Sequence, residues 1–293
     1  MNSEQSHPDK PRVGILGLGR MGRAMATRLA EQGFRVAGWT RSGITADHAG
    51  PIAAHASASD AAAASDIVLL SLSDDAAVTE VVGALVRADL RGKLIVDTST
   101  VGPDTLRCLA GAIGEAGGAA LDAPISGGPD LVLAGKAGFY IGGATADFER
   151  FRPVAEAMSN RVHHVGALGD GAAAKIVNNM LLMGFWGSLK EAVQLGKRAG
   201  LSAETMMMFL AGSPAATPLL AQRIPVILGQ SDAVGFTIAG VLKDGALFTR
   251  IARHYGVPTP AMEAALASYR ACAAAGLGEA DFAVMIRAAY RDA

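Results

Sequence analysis

Apolar runs of strand length alternate with stretches of helical period over residues 12–168, and helical period alone fills residues 169–293. A glycine-rich turn directly follows the first strand-like run. The later half is punctuated at helix-length intervals by Gly200, Pro214, Pro218, Gly229, Gly256 and Pro258. These observations predict an α/β N-terminal domain, with a parallel doubly wound sheet covered by helices on both faces, followed by an all-α C-terminal domain. Residues 1–11 are polar, contain Pro8 and Pro11, and read as a disordered tail.

The elements follow in order. Arg12–Leu16 (RVGIL) is a short buried strand, and after the glycine turn Arg23–Gln32 is a helix ended by Gly33. Phe34–Trp39 is the second strand. Ile67–Leu72 and Leu94–Asp97 are further strands, separated by a helix over Ala76–Ala88. Pro103–Ala116 is the next helix, and Ala119–Leu121 begins another strand. Phe139–Gly142 and Arg161–Val165 supply the last strands. A long helix over Ala172–Ala199 then opens the C-terminal domain and is expected to floor the space between the two. Asp97 and Asp122 end strands and read as structural, and Asp74-Asp75 reads as a cap for the helix that follows, with Asp74 near the nucleotide site.

Composition narrows the function. A chain of 293 residues that is 51% hydrophobic can bury a sizeable core in two domains. A formal net charge of −1 gives no footprint for nucleic acid or an anionic membrane. Cys108 and Cys272 are far apart, with neither metal-ligand spacing nor a disulfide framework, which fits a reducing cytoplasm. The opening residues lack the apolar core of a signal peptide. The longest apolar run, Ile176–Leu189, is too short to span a bilayer and reads as a buried helix. His163-His164 has no third ligand nearby in sequence, so no metal is expected. Met206-Met207-Met208 reads as packing between helices, and His254 as a surface residue.

Gly17-Leu18-Gly19-Arg20-Met21-Gly22 lies between a strand and a helix, the setting a Rossmann dinucleotide fingerprint requires. The first glycine permits the tight turn, the second lets backbone approach a pyrophosphate, and the third lets helix and strand pack closely. The helix N-terminus then faces the phosphates. At the end of the second strand, an NAD site would place an acid against the ribose hydroxyls. This chain has Trp39-Thr40-Arg41-Ser42, with no acid until Asp47. Arg41 can fork onto a 2′-phosphate, helped by the hydroxyls of Thr40 and Ser42, which predicts NADP(H) over NAD(H).

A second cluster, Gly169 to Asn179, sets Lys175 and Asn179 four residues apart on one helical face. A helix N-terminus disfavours an added positive charge, so a lysine there exchanges a proton more readily than a surface one. The plain alternative is a solvated lysine in a first helical turn.

Four segments together resemble the β-hydroxyacid dehydrogenases, the family that includes 3-hydroxyisobutyrate dehydrogenase, tartronate semialdehyde reductase and plant-type glyoxylate/succinic semialdehyde reductases. They are Gly17–Met25, Asp122–Gly128 (DAPISGG), Gly169–Asn179, and Lys243-Asp244 with Phe236 seven residues earlier. Their order covers nearly the whole chain. The resemblance implies a Rossmann domain over 12–168 and a helical substrate and oligomerisation domain over 169–293. It implies Lys175 as general acid/base, Asn179 beside it, and Ser126, Gly127 and Gly128 on a substrate carboxylate. Lys243 is expected to close over nicotinamide and substrate. Phe236, Thr100 and the Leu72-Ser73 loop are expected to contact the cofactor. The implied reaction interconverts a small 3-hydroxy acid and its semialdehyde or keto acid.

The chain departs from the family pattern at Pro129–Val132, where small residues are common, and at Gly245, where the family usually has Leu. An imine reductase shares the architecture but would carry Asp or Tyr at the position of Lys175. A catalytically silent nucleotide-binding module would lose the lysine. A 6-phosphogluconate dehydrogenase would need a longer helical domain. The apolar helices Ile176–Leu189 and Ala261–Ala275 exceed what one small domain buries, so a homodimer or homotetramer is expected.

Overall fold

The computed structural model describes residues 10–44 and 52–292. Most of the expected N-terminal tail, and Asp47, lie outside them. The chain forms two compact units, Met1–Lys175 and Ile176–Ala293.

The first unit is built on one sheet. Its strands are β1 (Val13–Leu16), β2 (Val36–Trp39), β3 (Ile52–Ala54), β4 (Ile67–Leu70), β5 (Leu94–Asp97), β6 (Ala119–Asp122), β7 (Ile125–Ser126), β8 (Ala137–Gly142) and β9 (Ser159–Gly166). The order runs β3-β2-β1-β4-β5-β6-β8-β7, with β9 also paired to β8. Strands β1 to β6 pair in parallel. Every residue of β1, β4 and β5 is buried, which is why these segments read as continuous apolar runs rather than alternating ones.

Helices α1 (Arg20–Glu31), α2 (Ala58–Ala63), α3 (Asp75–Leu85), α4 (Pro103–Glu115), α5 (Pro129–Leu133) and α6 (Thr145–Met158) connect the strands. Two apolar clusters result. One holds Met25 and Leu29 of α1 with Phe148, Phe151 and Val154 of α6. The other holds Val78 and Val82 of α3 with Leu106 and Ile113 of α4.

The sheet is not parallel throughout. Strand β8 runs antiparallel to β6 and β7. A parallel return needs a crossover of a dozen or more residues, and the short α5 connection between β7 and β8 cannot supply one. The 14-residue α6 can, and β9 pairs with β8 in parallel. Strands β3 and β7 and helices α2, α5 and α6 were not anticipated from the residues. Strand β3 is three residues, Ile52 half-buried and the next two exposed, and β7 is two.

Helix α7 (Asp170–Arg198) starts in the first unit and continues into the second as one uninterrupted helix. The second unit adds α8 (Ala203–Ala211), α9 (Pro218–Ile227), α10 (Ile238–His254), α11 (Pro260–Cys272), a short π-helical turn and α12 (Val284–Asp292). Its packing uses missing side chains. A Cβ on Gly196 would lie 2.3 Å from the sulfur of Met206, and one on Gly187 would lie 3.0 Å from the methyl of Ala265. Met206 and Met207 are buried between helices as expected, while Met208 is exposed. A Cβ on Gly245 would meet Leu266 at 2.3 Å, so the glycine that departs from the family pattern is matched by a leucine of α11 filling its space.

No helix among the described residues is long and apolar enough to cross a membrane. The centre of the second unit is Trp186, fully buried and edge-on to Phe282 with ring centroids 4.8 Å apart. Trp186→Ala is expected to destabilise the protein by roughly 3–5 kcal/mol, read as a lower urea midpoint for loss of helical circular dichroism.

Candidate active site

The C-terminal ends of β1, β2, β4, β5 and β6 carry most of the predicted site residues, the edge at which parallel sheets take ligands. The turn after β1 is shaped by its glycines. Gly17 has φ 103°, and a Cβ there would meet the Ser71 carbonyl oxygen at 2.2 Å. A Cβ on Gly22 would come within 1.9 Å of the Gly17 oxygen, so this glycine sets how closely α1 approaches β1. Gly19 caps α1 without a side-chain hydrogen bond, and a Cβ there would meet nothing within 4 Å. Leu18 is buried in the core, leaving its backbone to line the turn, whereas Arg20 is exposed and Met21 half-buried. A helix start uncapped by a side chain, beside open space and with no acid in its first turn, fits the pyrophosphate of a dinucleotide.

Thr40, Arg41 and Ser42 follow β2 directly. The Arg41 guanidinium is 81% exposed and lies 3.9 Å from Glu80. So loose a surface pair contributes little and leaves the arginine able to turn to another anion.

Buried acids and hydroxyls tie down the neighbouring loops. The Leu72 amide donates to Ser99 Oγ at 2.9 Å, and the Ser99 amide donates to Asp97 Oδ1 at 2.9 Å. The loop after β4 is thus held to the loop after β5. Ser73 is exposed beside Asp74, which caps α3 by accepting from the Ala77 amide. Asp75 accepts from the Gly102 amide at 2.8 Å, fixing the exit of the Thr100 loop. Asp97 is fully buried, and its Oδ2 has no hydrogen-bond partner among the described residues. Burial pushes its carboxyl up to about 6, against the Ser99 hydrogen bonds that favour the charged form.

Lys175 is buried, and its ammonium donates to the Ile125 carbonyl at 2.7 Å. Fold and sequence separation together bring the lysine to the strand that carries Ser126. Ser126 is half-buried, Gly127 is exposed with φ 125°, and Gly128 starts α5 with no side-chain cap. The unusual loop residues divide: Val132 is fully buried in the core, while Leu131 rests on Gly127, 2.9 Å from where a Cβ would stand. Asn179, one helical turn past Lys175, is buried and accepts from Asn178 Nδ2 at 2.9 Å.

Asp122, adjacent in register to Asp97, accepts from the Gly169 and Ala172 amides at 2.6 Å each. Burial raises its carboxyl above the usual range, opposed by those two hydrogen bonds. Arg107 donates to the Leu168 carbonyl and to Asp170, bracing the same turn from α4. Asp122 and Arg107 were not foreseen as site residues. The one available signal was an acid closing each of two apolar strands, LIVD and AALD.

The second unit carries Phe236 and Lys243. Phe236 lies over Gly240, where a Cβ would sit 2.5 Å from the ring. Buried Asp281 accepts from the Gly235 and Ala283 amides at 2.8 and 3.0 Å and orders this segment. Lys243 is exposed on α10 and pairs with buried Asp244 at 2.8 Å. Among the described residues, no group of three or more His, Cys, Asp and Glu is gathered to hold a metal. His163 and His164 lie within β9, His164 stacked on Phe148.

Two family profiles match the chain in succession. The profile of the NAD-binding domain of 6-phosphogluconate dehydrogenase matches residues 12–166. That of the NAD-binding region of NADP-dependent 3-hydroxyisobutyrate dehydrogenase matches residues 169–289. The chain is 33% identical to 2-(hydroxymethyl)glutarate dehydrogenase of Eubacterium barkeri, over 94% of each protein. It is 30% identical to 2-hydroxy-3-oxopropionate reductase of Escherichia coli K12, over 94% of this chain and 96% of that one. The solved structure of Mycobacterium tuberculosis 3-hydroxyisobutyrate dehydrogenase with L-serine superposes with a TM-score of 0.84 at 29% identity, covering 95% and 98% of the two chains. Sheet, glycine turn and helical half thus define a nicotinamide-nucleotide-dependent oxidoreductase. Within that class, the chain belongs to the β-hydroxyacid dehydrogenase family.

Asp97 makes stability depend on pH in a defined direction. Its folded value, about 6, lies above the ordinary 3.8, so the fold disfavours the charged form. Its contribution is fully present below the unfolded value and is lost as pH rises through the folded one. Asp97→Asn removes that dependence. Its stability relative to the parent is expected to improve by about 2 kcal/mol between about pH 4 and pH 8, measured by denaturant titration at both.

Proposed function

We propose that this protein is an NADP-dependent oxidoreductase that interconverts a small 3-hydroxy acid and its semialdehyde or keto acid, with Lys175 as general acid/base. The observation that carries the proposal is the buried Lys175 ammonium, 2.7 Å from the carbonyl of Ile125 and so one residue from Ser126. A buried amine bonded to the strand that leads into a glycine turn joins a proton donor to an anion-binding backbone. The relatives' names supply the substrate class, since each denotes chemistry on a small hydroxy or oxo acid.

Nicotinamide supplies the hydride in reduction and accepts it in oxidation. The first unit, with Gly17–Gly22, Leu72, Ser73 and Thr100, binds the nucleotide. Thr40, Arg41 and Ser42 take the 2′-phosphate. Ser126 and the amides of Gly127 and Gly128 hold the substrate carboxylate, Asn179 holds the substrate, Lys243 contacts nicotinamide and substrate, and Phe236 contacts the cofactor. In reduction Lys175 gives its proton to the carbonyl oxygen, and in oxidation it takes the hydroxyl proton. The helical unit assembles a homodimer or homotetramer, and the enzyme works in the cytoplasm without a metal.

The test is NADPH consumption with succinic semialdehyde, glyoxylate, tartronate semialdehyde and methylmalonate semialdehyde, with a cyclic imine panel alongside. Turnover of an acid substrate is expected. Lys175→Ala is expected to lower kcat by about 10²–10⁴-fold while NADPH affinity holds. A variant with the parent's rate removes the assigned role, and turnover of imines alone replaces the substrate class. Arg41→Ala is expected to raise KM for NADPH by about tenfold, the loss of roughly 1.4 kcal/mol of phosphate contact. KM for NADH stays level in the same assay, and an equal rise for both cofactors would contradict the NADP preference.

A further inference from the structure

We infer that Asp122 is a positioning residue for the reaction: its carboxylate fixes the start of α7 and thereby the register in which Lys175 meets the strand bearing Ser126. The inference rests on the role proposed for Lys175. The first amides of a helix have no partner within it and are usually capped by a residue just before it. Here the local side chain, Asp170, turns back to the Ala167 amide. The Gly169 and Ala172 amides are instead taken by the two oxygens of Asp122, from 47 and 50 residues away in sequence. Asp122 is the last residue of β6, a strand hydrogen-bonded in register to β5. The helix start is therefore attached to the sheet itself and not to its own loop.

The surroundings are cleared for this contact. A Cβ on Gly142 would stand 2.5 Å from Asp122 Oδ1, and one on Gly171 would stand 2.8 Å from Oδ2 and 2.4 Å from the Tyr140 carbonyl oxygen. Three residues beyond Asp122, the Ile125 carbonyl accepts from Lys175. The segment Asp122–Ile125 thus grips α7 at two levels, at its first turn through the carboxylate and at its second through the carbonyl. A slip of one residue turns a helix by about 100° and advances it by about 1.5 Å. Either displacement carries the Lys175 ammonium off the Ile125 carbonyl, and the paired contact at Asp122 opposes both.

The test is a double-mutant cycle with Asp122→Asn and Lys175→Ala, with kcat, KM and NADPH affinity measured for each protein. Asparagine keeps the shape but can accept from only one of the two amides. With Lys175 present, Asp122→Asn is expected to lower kcat about 10- to 100-fold, a positioning loss, with NADPH affinity within about twofold of the parent. In the Lys175→Ala background the same substitution is expected to cost less than about threefold, since no lysine remains to misplace. An equal factor in both backgrounds would mean a merely structural cap and overturns the inference, as does an unchanged kcat. Should Lys175→Ala alone keep the parent's rate, the acid/base role fails first and is seen to fail separately. Hydrogen exchange on the unaltered enzyme tests the contact without any variant. The Gly169 and Ala172 amides are expected to exchange as slowly as those of β5, and exchange at exposed-loop rates overturns the attachment.

Discussion

Every backbone amide released at a strand end or helix start needs an acceptor, and the way this chain supplies acceptors organises its functional edge. Asp75 takes the Gly102 amide, Asp97 the Ser99 amide, and Asp122 the amides of Gly169 and Ala172. Each acid sits on or beside the sheet edge and holds a loop or helix that carries site residues. Helix α1 is treated differently. It starts at Gly19 without a side-chain cap and without an acid in its first turn. Amides around the candidate site are tied to carboxylates, whereas the start of α1 at the glycine turn carries no such carboxylate. In the second unit Asp281 repeats the first pattern, taking the amides around Phe236.

Much of this was legible in the residues. Buried parallel strands announce themselves as unbroken apolar runs, so β1, β4 and β5 were plain. The glycines of the first turn could be assigned separate duties because each duty excludes a side chain for its own steric reason. Spacing set Lys175 and Asn179 on one helical face but left a solvated lysine as an equal reading, and both side chains are buried. The elements that escaped are short or lack a pattern, with β3 and β7 too brief to show a period. The antiparallel turn at β8 follows from the length of a connection whose helix, α5, spans only five residues.

The side-chain ties were harder to foresee, for a physical reason. Asp122 acts on amides 47 and 50 residues away, and Arg107 on a carbonyl 61 residues away. Local sequence offers Asp170, the first residue of α7, and it accepts from the Ala167 amide instead of the helix start. A contact made across the sheet edge leaves only a carboxylate at the end of an apolar strand, a sign shared with many acids that do nothing of the kind.

The seat of Leu266 over Gly245 makes two positions one unit of change. A leucine at 245, which the family pattern favours, has no room while Leu266 stands, and a smaller residue at 266 leaves a void while 245 stays glycine. Either change alone is expected to cost packing, and the two together restore it. Chimaeras that exchange α10 without α11 would carry a mismatched pair into the core, whereas exchanging the two helices together preserves the fit.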